Sequence, residues 1–591
     1  MKLLLVTINS RYTQSSLSLL YFAGILKQEF PDTSWNIHEF HLGLSAEECA
    51  RDLLLQDPDL VCFSVYLWNT EFSCRIIDYL HKARPELSIL CGGPEVSHCA
   101  EPFMKSHSGV NHVIRGEGEE PFRQFIRAFS SNSSLEGIPG LTTRVGNRVT
   151  SSPDSPPIAN LGIIPSPLQL SLTDKCKKFI HYESSRGCPF SCSYCLSSLE
   201  KGVRYFPLDR VLRDMECFFA SPHQMLRFVD RTFNLDPAHY RPIWEFLITN
   251  SPDDKHYQFE IDAGILVEDD LNLLDQSKRG LFQFEIGVQS ISTDALRLCH
   301  RPDRLEEIRR NIRSLRKTGL FHLHLDLIAG LPGDDPQSFA RAIDWVAECL
   351  PDTIQIGRLK VLNGTDMHDK ARSLNLNFSS YPPYQIISGG CFSWRDILHF
   401  EELGRLAEII YNCGRFEGFI KGVLKHLNLS AFLENLSNQW NAEGLPYHSL
   451  PLNSIFSALE RWACGNQHSA WLIQLLIHDF LAGADFKTSP GTVFETPVNE
   501  TDIRDFLLLE DCEPIRCRPY GRIRLVRYSM DFSDPVPADN CMLYIYHGKD
   551  KAFLRLSAQD ADLIASGECL STDSSQTLKQ FVKSGMIKGR K

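Results

Sequence analysis

The stretch Arg186-Gly187-Cys188-Pro189-Phe190-Ser191-Cys192-Ser193-Tyr194-Cys195 constrains this chain more than any other. It sets three thiols at offsets of four and three residues, so one loop can wrap them around one metal centre. Structural zinc sites close with four Cys or His, and structural iron-sulfur sites with four cysteines. Three thiolates leave such a centre one protein ligand short, and a metal position open to an outside ligand is a position for chemistry. On the residues alone two other readings stay open: a zinc knuckle with His181 as fourth ligand, and three unrelated buried thiols.

The cysteine loop follows directly on a strand-like run, Phe179–Glu183, and the chain then alternates strand and helix. Further candidate strands are Met225–Val229, Tyr257–Ile261, Phe282–Gly287, His322–Leu327 and Thr353–Gly357. Residues 1–135 alternate in the same way, with apolar or β-branched runs at Leu3–Ile8, Trp35–Phe40, Leu60–Val65, Ser88–Cys91 and Val110–Ile114. Helix-length segments such as Ser15–Lys27 and Glu71–Ala83 separate these runs, which predicts a doubly wound parallel sheet of five strands. Ligands of such sheets sit beyond the carboxyl ends of the strands. The loops expected there are Asn9-Ser10-Arg11-Tyr12, Cys91-Gly92-Gly93-Pro94-Glu95 and Arg115-Gly116-Glu117-Gly118-Glu119. Their paired glycines let a ligand approach the main chain and leave amide groups free at helix starts, which suits a phosphate or nucleotide tail.

A chain of 591 residues exceeds one hydrophobic core and predicts about three domains. The Ser- and Pro-rich stretch around Ser151-Ser152-Pro153-Asp154-Ser155-Pro156-Pro157 reads as an extended linker. The expected organisation is a domain over 1–135, a linker over 136–170, a second domain over 171–370 and a C-terminal domain over 371–591. A net charge of -12 argues against a general nucleic-acid binder, whose phosphate contacts need a basic surface. No apolar run of about 18 residues suggests a membrane span, and Met1–Asn9 reads as a first strand rather than a signal peptide. Nineteen cysteines without a secretion signal imply a reducing, cytoplasmic setting.

The C-x3-C-x2-C spacing with Tyr194 before the last cysteine resembles the cluster loop of the radical S-adenosylmethionine (radical SAM) enzymes. The resemblance implies a 4Fe-4S cluster on Cys188, Cys192 and Cys195, its fourth iron chelated by SAM, with Tyr194 against the adenine. Reductive cleavage of SAM would then give a 5'-deoxyadenosyl radical, with electrons from a donor such as flavodoxin or ferredoxin. Residues 171–370 would form the family's partial (βα)6 barrel, with reactive groups at the C-terminal ends of the strands. Classical relatives hold the SAM amino group with Gly-Gly-Glu after strand two; Phe228-Val229-Asp230-Arg231-Thr232 stands here instead, and Asp230 with Thr232 is the expected substitute. Asp262 follows strand three. Glu285 and Gln289, in a run close to the family's Gly-Val-Gln-Ser, are expected near the SAM ribose or the substrate. Gly330 and Leu331 lie in what looks like the glycine-proline turn beside the adenine. For each carboxylate the plainer alternative is a strand-end residue that caps the next helix or faces solvent.

The Gly-Gly-Pro-Glu and Gly-Glu-Gly-Glu loops ahead of this barrel look like the cobalamin-binding domain that precedes many radical SAM domains. The resemblance assigns cobalamin to Asn9, Ser10, Arg11, Gly92, Gly93, Pro94, Glu95, Gly116, Glu117 and Gly118. The Asp-x-His-x-x-Gly motif that supplies cobalt's lower ligand in better-known domains is missing, since the first histidine is His38; cobalamin is therefore expected without a histidine on cobalt.

Residues 371–591 carry no motif tied to chemistry and look like the extension found on a subset of cobalamin-linked radical SAM proteins. Helical periodicity runs through Phe400–Tyr411 and Ser469–Ala482, and an arginine-rich, β-branched stretch spans Arg516–Arg527. A solvated strand face is the expected reading of those arginines, with an anion-recognition surface as the alternative. Cys512 and Cys517 read as free thiols.

The constellation implies a cobalamin-dependent radical SAM enzyme that methylates an unactivated carbon, or phosphorus, of a small molecule. A cobalamin-linked oxidative cyclase or rearrangement enzyme shares every motif. A non-catalytic cobalamin or metal sensor with structural zinc is the rival from another class, and a methylthiotransferase would need a second three-cysteine cluster.

Overall fold

The structure is a computed structural model. It describes residues 1–10, 15–200 and 202–483 and, beyond these, separate segments between 490 and 589; Arg11 and Cys512 lie outside the described residues. The chain divides into two compact units, residues 1–351 with 355–400, and residues 352–354 with 401–591.

The first unit contains two large sheets. In one, β1 (Lys2–Asn9), β2 (Ser34–His41), β3 (Leu60–Ser64), β4 (Ser88–Gly92) and β5 (His112–Ile114) run parallel in the order β2-β1-β3-β4-β5. The interior strand β1 is buried along nearly its whole length, which is why its sequence is a continuous apolar run rather than an alternation. Its side chains still alternate between two cores. Leu4, Val6 and Ile8 pack with Ile76, Ile77 and Leu80 of the helix Thr70–Ala83, and Leu3 and Leu5 pack with Leu19, Phe122 and Phe125 on the opposite face. Two antiparallel strands, β6 (Leu141–Val145) and β7 (Arg148–Ser151), extend the sheet past β5. They are joined through Gly146-Asn147, with Gly146 at φ +56° as a two-residue hairpin requires. This hairpin falls inside the stretch whose Ser and Pro content suggests linker.

The second sheet begins at β8 (Phe179–Tyr182). The short pair β9 (Ser185–Arg186) and β10 (Arg204–Tyr205) frames the cysteine loop as an antiparallel ribbon. Then β11 (Met225–Phe228), β12 (His256–Ile261), β13 (Phe282–Gln289), β14 (His322–Ala329) and β15 (Thr353–Arg358) follow in simple succession, giving the order β15-β14-β13-β12-β11-β8. Helices such as Pro237–Asn250 and Leu305–Thr318 alternate with the strands, so the sheet is the six-fold (βα) arrangement expected of a partial barrel. On β13 the residues Phe282, Phe284, Ile286 and Val288 are buried, while Gln283, Glu285, Gly287 and Gln289 form the half-buried face. That polar face is the one that matters for chemistry.

The second unit is mainly helical, with helices Glu417–Leu424, Leu429–Ala442, Leu452–Cys464 and Ser469–Gly483. A four-stranded antiparallel sheet follows, containing Gly521–Met530 from the arginine-rich stretch. Arg524 is buried and so does not belong to a solvated strand face, whereas Arg527 is partly exposed and ion-paired with the exposed Asp562. Among the described residues no helix is long and apolar enough to cross a membrane.

Candidate active site

Two cavities lie within the first unit, both at carboxyl ends of parallel strands. The larger, of about 570 Å³, lies between the loops of the first sheet and the entrance to the cysteine loop. The smaller, of about 190 Å³, is lined by all three motif cysteines and by the polar face of the barrel.

The cysteine loop is held from several sides. Gly187 precedes Cys188 with φ +92°, and a Cβ there would lie 2.2 Å from Gly202 O, so only glycine fits this entry. Ser193 N donates to Cys299 O at 3.0 Å, and Ser193 O accepts from Met367 N at 2.8 Å, strapping the loop between two later segments. Cys188 Sγ lies 3.7 Å from Thr232 Oγ1. Cys192 is buried, and burial raises its pKa; the Arg301 guanidinium, 3.9 Å from its Sγ, works in the opposite direction. The Tyr194 hydroxyl, on the same cavity wall, is buried without a partner.

Around the thiols the barrel face is charged in both senses. Strand register sets Glu260, Glu285 and His324 side by side across β12, β13 and β14. Burial raises the pKa of Glu285, and Asp326 adds to the shift; Gln258 Nε2 donates to its carboxylate at 2.8 Å. Glu260 is pushed up to about 7 by burial, with Glu285 and Asp326 raising it further and Arg231 opposing. His324 Nε2 stands 3.1 Å from Asp326 Oδ1, though not aligned as a hydrogen bond. Gln289 adopts φ +69°, unusual for a side-chain-bearing residue, and its Oε1 is buried without a partner.

Several expected residues therefore meet in the smaller cavity: the three cysteines, Tyr194, Thr232, Asp262, Glu285 and Gln289. Asp262 also caps the turn Ala263–Ile265 through Gly264 N at 2.8 Å and accepts from Arg304 at 3.0 Å, so its carboxylate is already engaged. Asp230 is not on the cavity wall. It is buried, and it accepts from Ser184 N at 3.0 Å, Ser184 Oγ at 2.7 Å and Ser185 Oγ at 2.6 Å. Its carboxylate fixes the residues that lead into the cysteine loop rather than facing a ligand. Gly330 and Leu331 are likewise off the wall; Gly330, at φ +88°, packs against Ile386 and Ile397, and Leu331 is buried. The sequence reading missed Glu260, Asp326, Arg231, Arg301 and Arg304, all of which line this cavity. Polar residues alternating along β12 and β14 are the signal that could have found the two carboxylates.

In the larger cavity Gly92, Gly93, Pro94, Gly116, Glu117 and Gly118 all lie on the wall. Gly93 has φ +118°, and a Cβ would strike Val65 O at 2.4 Å; around Gly116, at φ +70°, nothing lies within 4 Å, so that main chain is open to a ligand. The glutamates of the two loops do different work from the glycines. Glu95 is off the wall and buried, and it accepts from the Tyr384 hydroxyl; burial raises its pKa and that bond offsets the rise. Glu117 pairs with Arg204 at 2.5 Å and approaches Arg186 to 3.7 Å, while Glu119 pairs with Arg186 at 2.5 Å. Arg186 also binds Glu183 at 2.6 Å, and although burial disfavours its charge, Glu119 and Glu183 raise its pKa well above the ordinary value. The loop of the first sheet is thus clasped to the residue that opens the cysteine motif. Asn9 and Ser10 do not line this cavity, whereas His98, from the segment after β4, does.

Donor chemistry fits the groups that the sequence implies. Among the described residues no three His, Cys, Asp or Glu side chains gather closely enough to hold a single ion, and His181, the fourth ligand a zinc knuckle needs, has Nδ1 3.2 Å from Ser15 O. Three thiols on one wall, not gathered as the ligands of a single ion, suit a multi-iron cluster. Glycine main chain exposed at strand ends suits a broad cofactor in the larger cavity.

Comparison with known proteins agrees with this division. The B12 binding domain model matches residues 3–126, the radical SAM superfamily model matches 182–346, and a protein family of unknown function (DUF4080) matches 373–512. The chain is 24% identical over 319 residues to the 2-(S-pantetheinyl)-carbapenam-3-carboxylate methyltransferase of Streptantibioticus cattleyicolor, covering 50% of this chain and 45% of that protein. It is 24% identical over 309 residues to the cobalamin-dependent radical SAM methyltransferase TokK of Streptomyces tokunonensis, covering 49% and 45%. The chain spans about half the length of these curated relatives. The solved structure of the cobalamin-dependent SAM radical enzyme OxsB, with aqua-cobalamin and SAM bound, superposes with a TM-score of 0.57 over 81% of this chain and 79% of that one, at 16% identity. With a B12-binding domain, a radical SAM domain and DUF4080 in that order, the chain is a radical SAM protein of the kind that carries an N-terminal cobalamin-binding domain.

Proposed function

We propose that the protein is a cobalamin-dependent radical SAM methyltransferase acting on an unactivated carbon, or phosphorus, of a small molecule. The observation that carries this reading is the adjacency of the two cavities: one holds the three thiols, the other the glycine cradle, and Ser197 and Arg231 line both. When bound, a 4Fe-4S cluster with SAM supplies one-electron cleavage, and cobalamin supplies the methyl group.

Cys188, Cys192 and Cys195 would hold the cluster, with Arg301 beside Cys192 and Thr232 beside Cys188 fixing the sulfurs. Gly92, Gly93, Gly116 and Gly118 would carry cobalamin on their main chain, and the Arg186 clasp keeps that cradle in register with the cysteine loop. Tyr194, Glu285 and Gln289 would orient SAM and substrate in the smaller cavity. A reductant must deliver electrons, and a flavodoxin or ferredoxin is the proposed donor. The described cysteines are all free thiols, which supports a cytoplasmic setting.

Anaerobic purification with added hydroxocobalamin tests the reading. The expected protein holds about four irons per chain and an equal molar amount of cobalt with its chain, and it transfers label from methyl-labelled SAM to an accepted small molecule. Stoichiometric zinc without iron would replace the cluster by a structural metal, and label that never leaves SAM with a processed substrate would remove the methyltransferase.

A further inference from the structure

Three guanidinium groups reach the smaller cavity, and what they bond to separates them. Arg301 donates to Gly287 O and lies 3.9 Å from Cys192 Sγ. Arg304 donates to Asp262 at 3.0 Å. Arg231 makes no side-chain hydrogen bond or ion pair among the described residues, although Glu260 is near enough to feel its charge. Arg231 is exposed, at the end of β11, and with Ser197 it is shared by the walls of both cavities.

A molecule that reacts with groups in both cavities must pass this shared wall. A guanidinium there, free of protein acceptors, offers a fork that a carboxylate or a phosphate can accept bidentately. We infer that Arg231 anchors an anionic group of the substrate, a carboxylate or a phosphate, at the opening between the two cavities; this rests on the proposed function. The anchor selects anionic substrates and fixes which of their atoms faces the thiol cavity. If Arg231 served only to balance Glu260, Glu285 and Asp326, its fork would have no use for a free anion.

Arginine modification reads this directly. The anaerobically reconstituted full-length protein is treated with phenylglyoxal, and adducts are located by peptide mass. Arg231 is expected to react several times faster than the bonded Arg301. Inorganic phosphate or benzoate should slow Arg231 severalfold, and tetramethylammonium chloride at equal ionic strength should not. Equal rates at Arg231 and Arg301, or no protection by either anion, overturns the anchor. Protection by SAM alone, in the absence of phosphate and benzoate, would assign Arg231 to the carboxylate of the cofactor and equally overturn it. Iron and cobalt counts on the same preparation keep two failures apart: an iron-free wild type sinks the proposed function and the anchor with it, whereas normal loading without anion protection sinks only the anchor.

Discussion

The cavity of about 570 Å³ presents main chain and small residues at its strand ends, whereas the cavity of about 190 Å³ presents thiols, carboxylates and guanidiniums. In the first, the ionised groups of the glycine loops are consumed by protein partners: Glu117 and Glu119 by Arg204 and Arg186, Glu95 by Tyr384. In the second, the Glu260 and Arg231 side chains and Gln289 Oε1 make no hydrogen bond among the described residues, so charge and polarity are left for a ligand. A site that grips by shape spends its charges on holding its own walls together. A site that does chemistry keeps them.

The strongest way to break this comparison is Cys192→Ala. If the smaller cavity alone houses the cluster, iron content should fall to near zero while cobalt loading stays at the wild-type level. Retained SAM cleavage or retained iron would remove Cys192 from the ligand set; parallel loss of cobalt would show that the two cavities do not load independently.

Next in size is the clasp. Arg186 is nearly enclosed, with Glu119 and Glu183 bonded to its guanidinium and both largely buried. Removing one partner of a buried ion pair leaves the other charge uncompensated and costs about 3 kcal/mol or more. Arg186→Met should therefore lower stability by that order in chemical unfolding, and adding Glu119→Gln should restore part of the loss, because one stranded carboxylate disappears. A loss under about 1 kcal/mol would mean the clasp is a surface pair.

These residues also show what a sequence discloses. Parallel strands reveal themselves by apolar runs such as Leu3–Ile8, and the cysteine spacing reveals a metal loop, because both are local patterns. Glycines 92, 93, 116 and 118 follow strands that are legible in the same way, and the fold brings all four to one cavity wall. The inward turn of Asp230 is not legible locally, because its partners, Ser184 and Ser185, lie some forty-five residues away, and only the β8-β11 pairing brings them together. Glu117 and Glu95 sit in the right loops yet turn toward Arg204 and Tyr384, contacts between distant segments that no local pattern records. The paired strands β6 and β7 hid in a stretch whose Ser and Pro content masks a short alternating hairpin.

Glu260 gives a smaller, pH-dependent effect. Its folded pKa is raised from 4.5 to about 7, so the folded chain binds this proton more tightly than the unfolded chain does. The associated stability is full below about pH 4.5 and is lost as pH rises through about 7. Wild-type thermal midpoints measured across that window should decline more steeply than those of Glu260→Gln. Identical slopes would mean the carboxylate is paired in solution and is not part of the uncommitted set.

The smallest effect tests the other glycine loop. Tyr384 is the donor that compensates Glu95, and Glu95 lies off the cavity wall, so Tyr384→Phe should cost about 1 kcal/mol and leave iron loading untouched. The sign of its pH dependence follows from the bond. The hydroxyl favours the carboxylate and lowers the Glu95 pKa against burial, so its contribution is present where Glu95 is ionised and fades as acid protonates the carboxyl. The penalty of Tyr384→Phe should accordingly shrink on acidification, whereas the Arg186→Met penalty, set by two carboxylates on one guanidinium, should remain the larger at every pH where both ionise. If Tyr384→Phe instead removed iron as well as stability, the wall between a cavity that grips and a cavity that reacts would be thinner than the bonding around Glu95 implies.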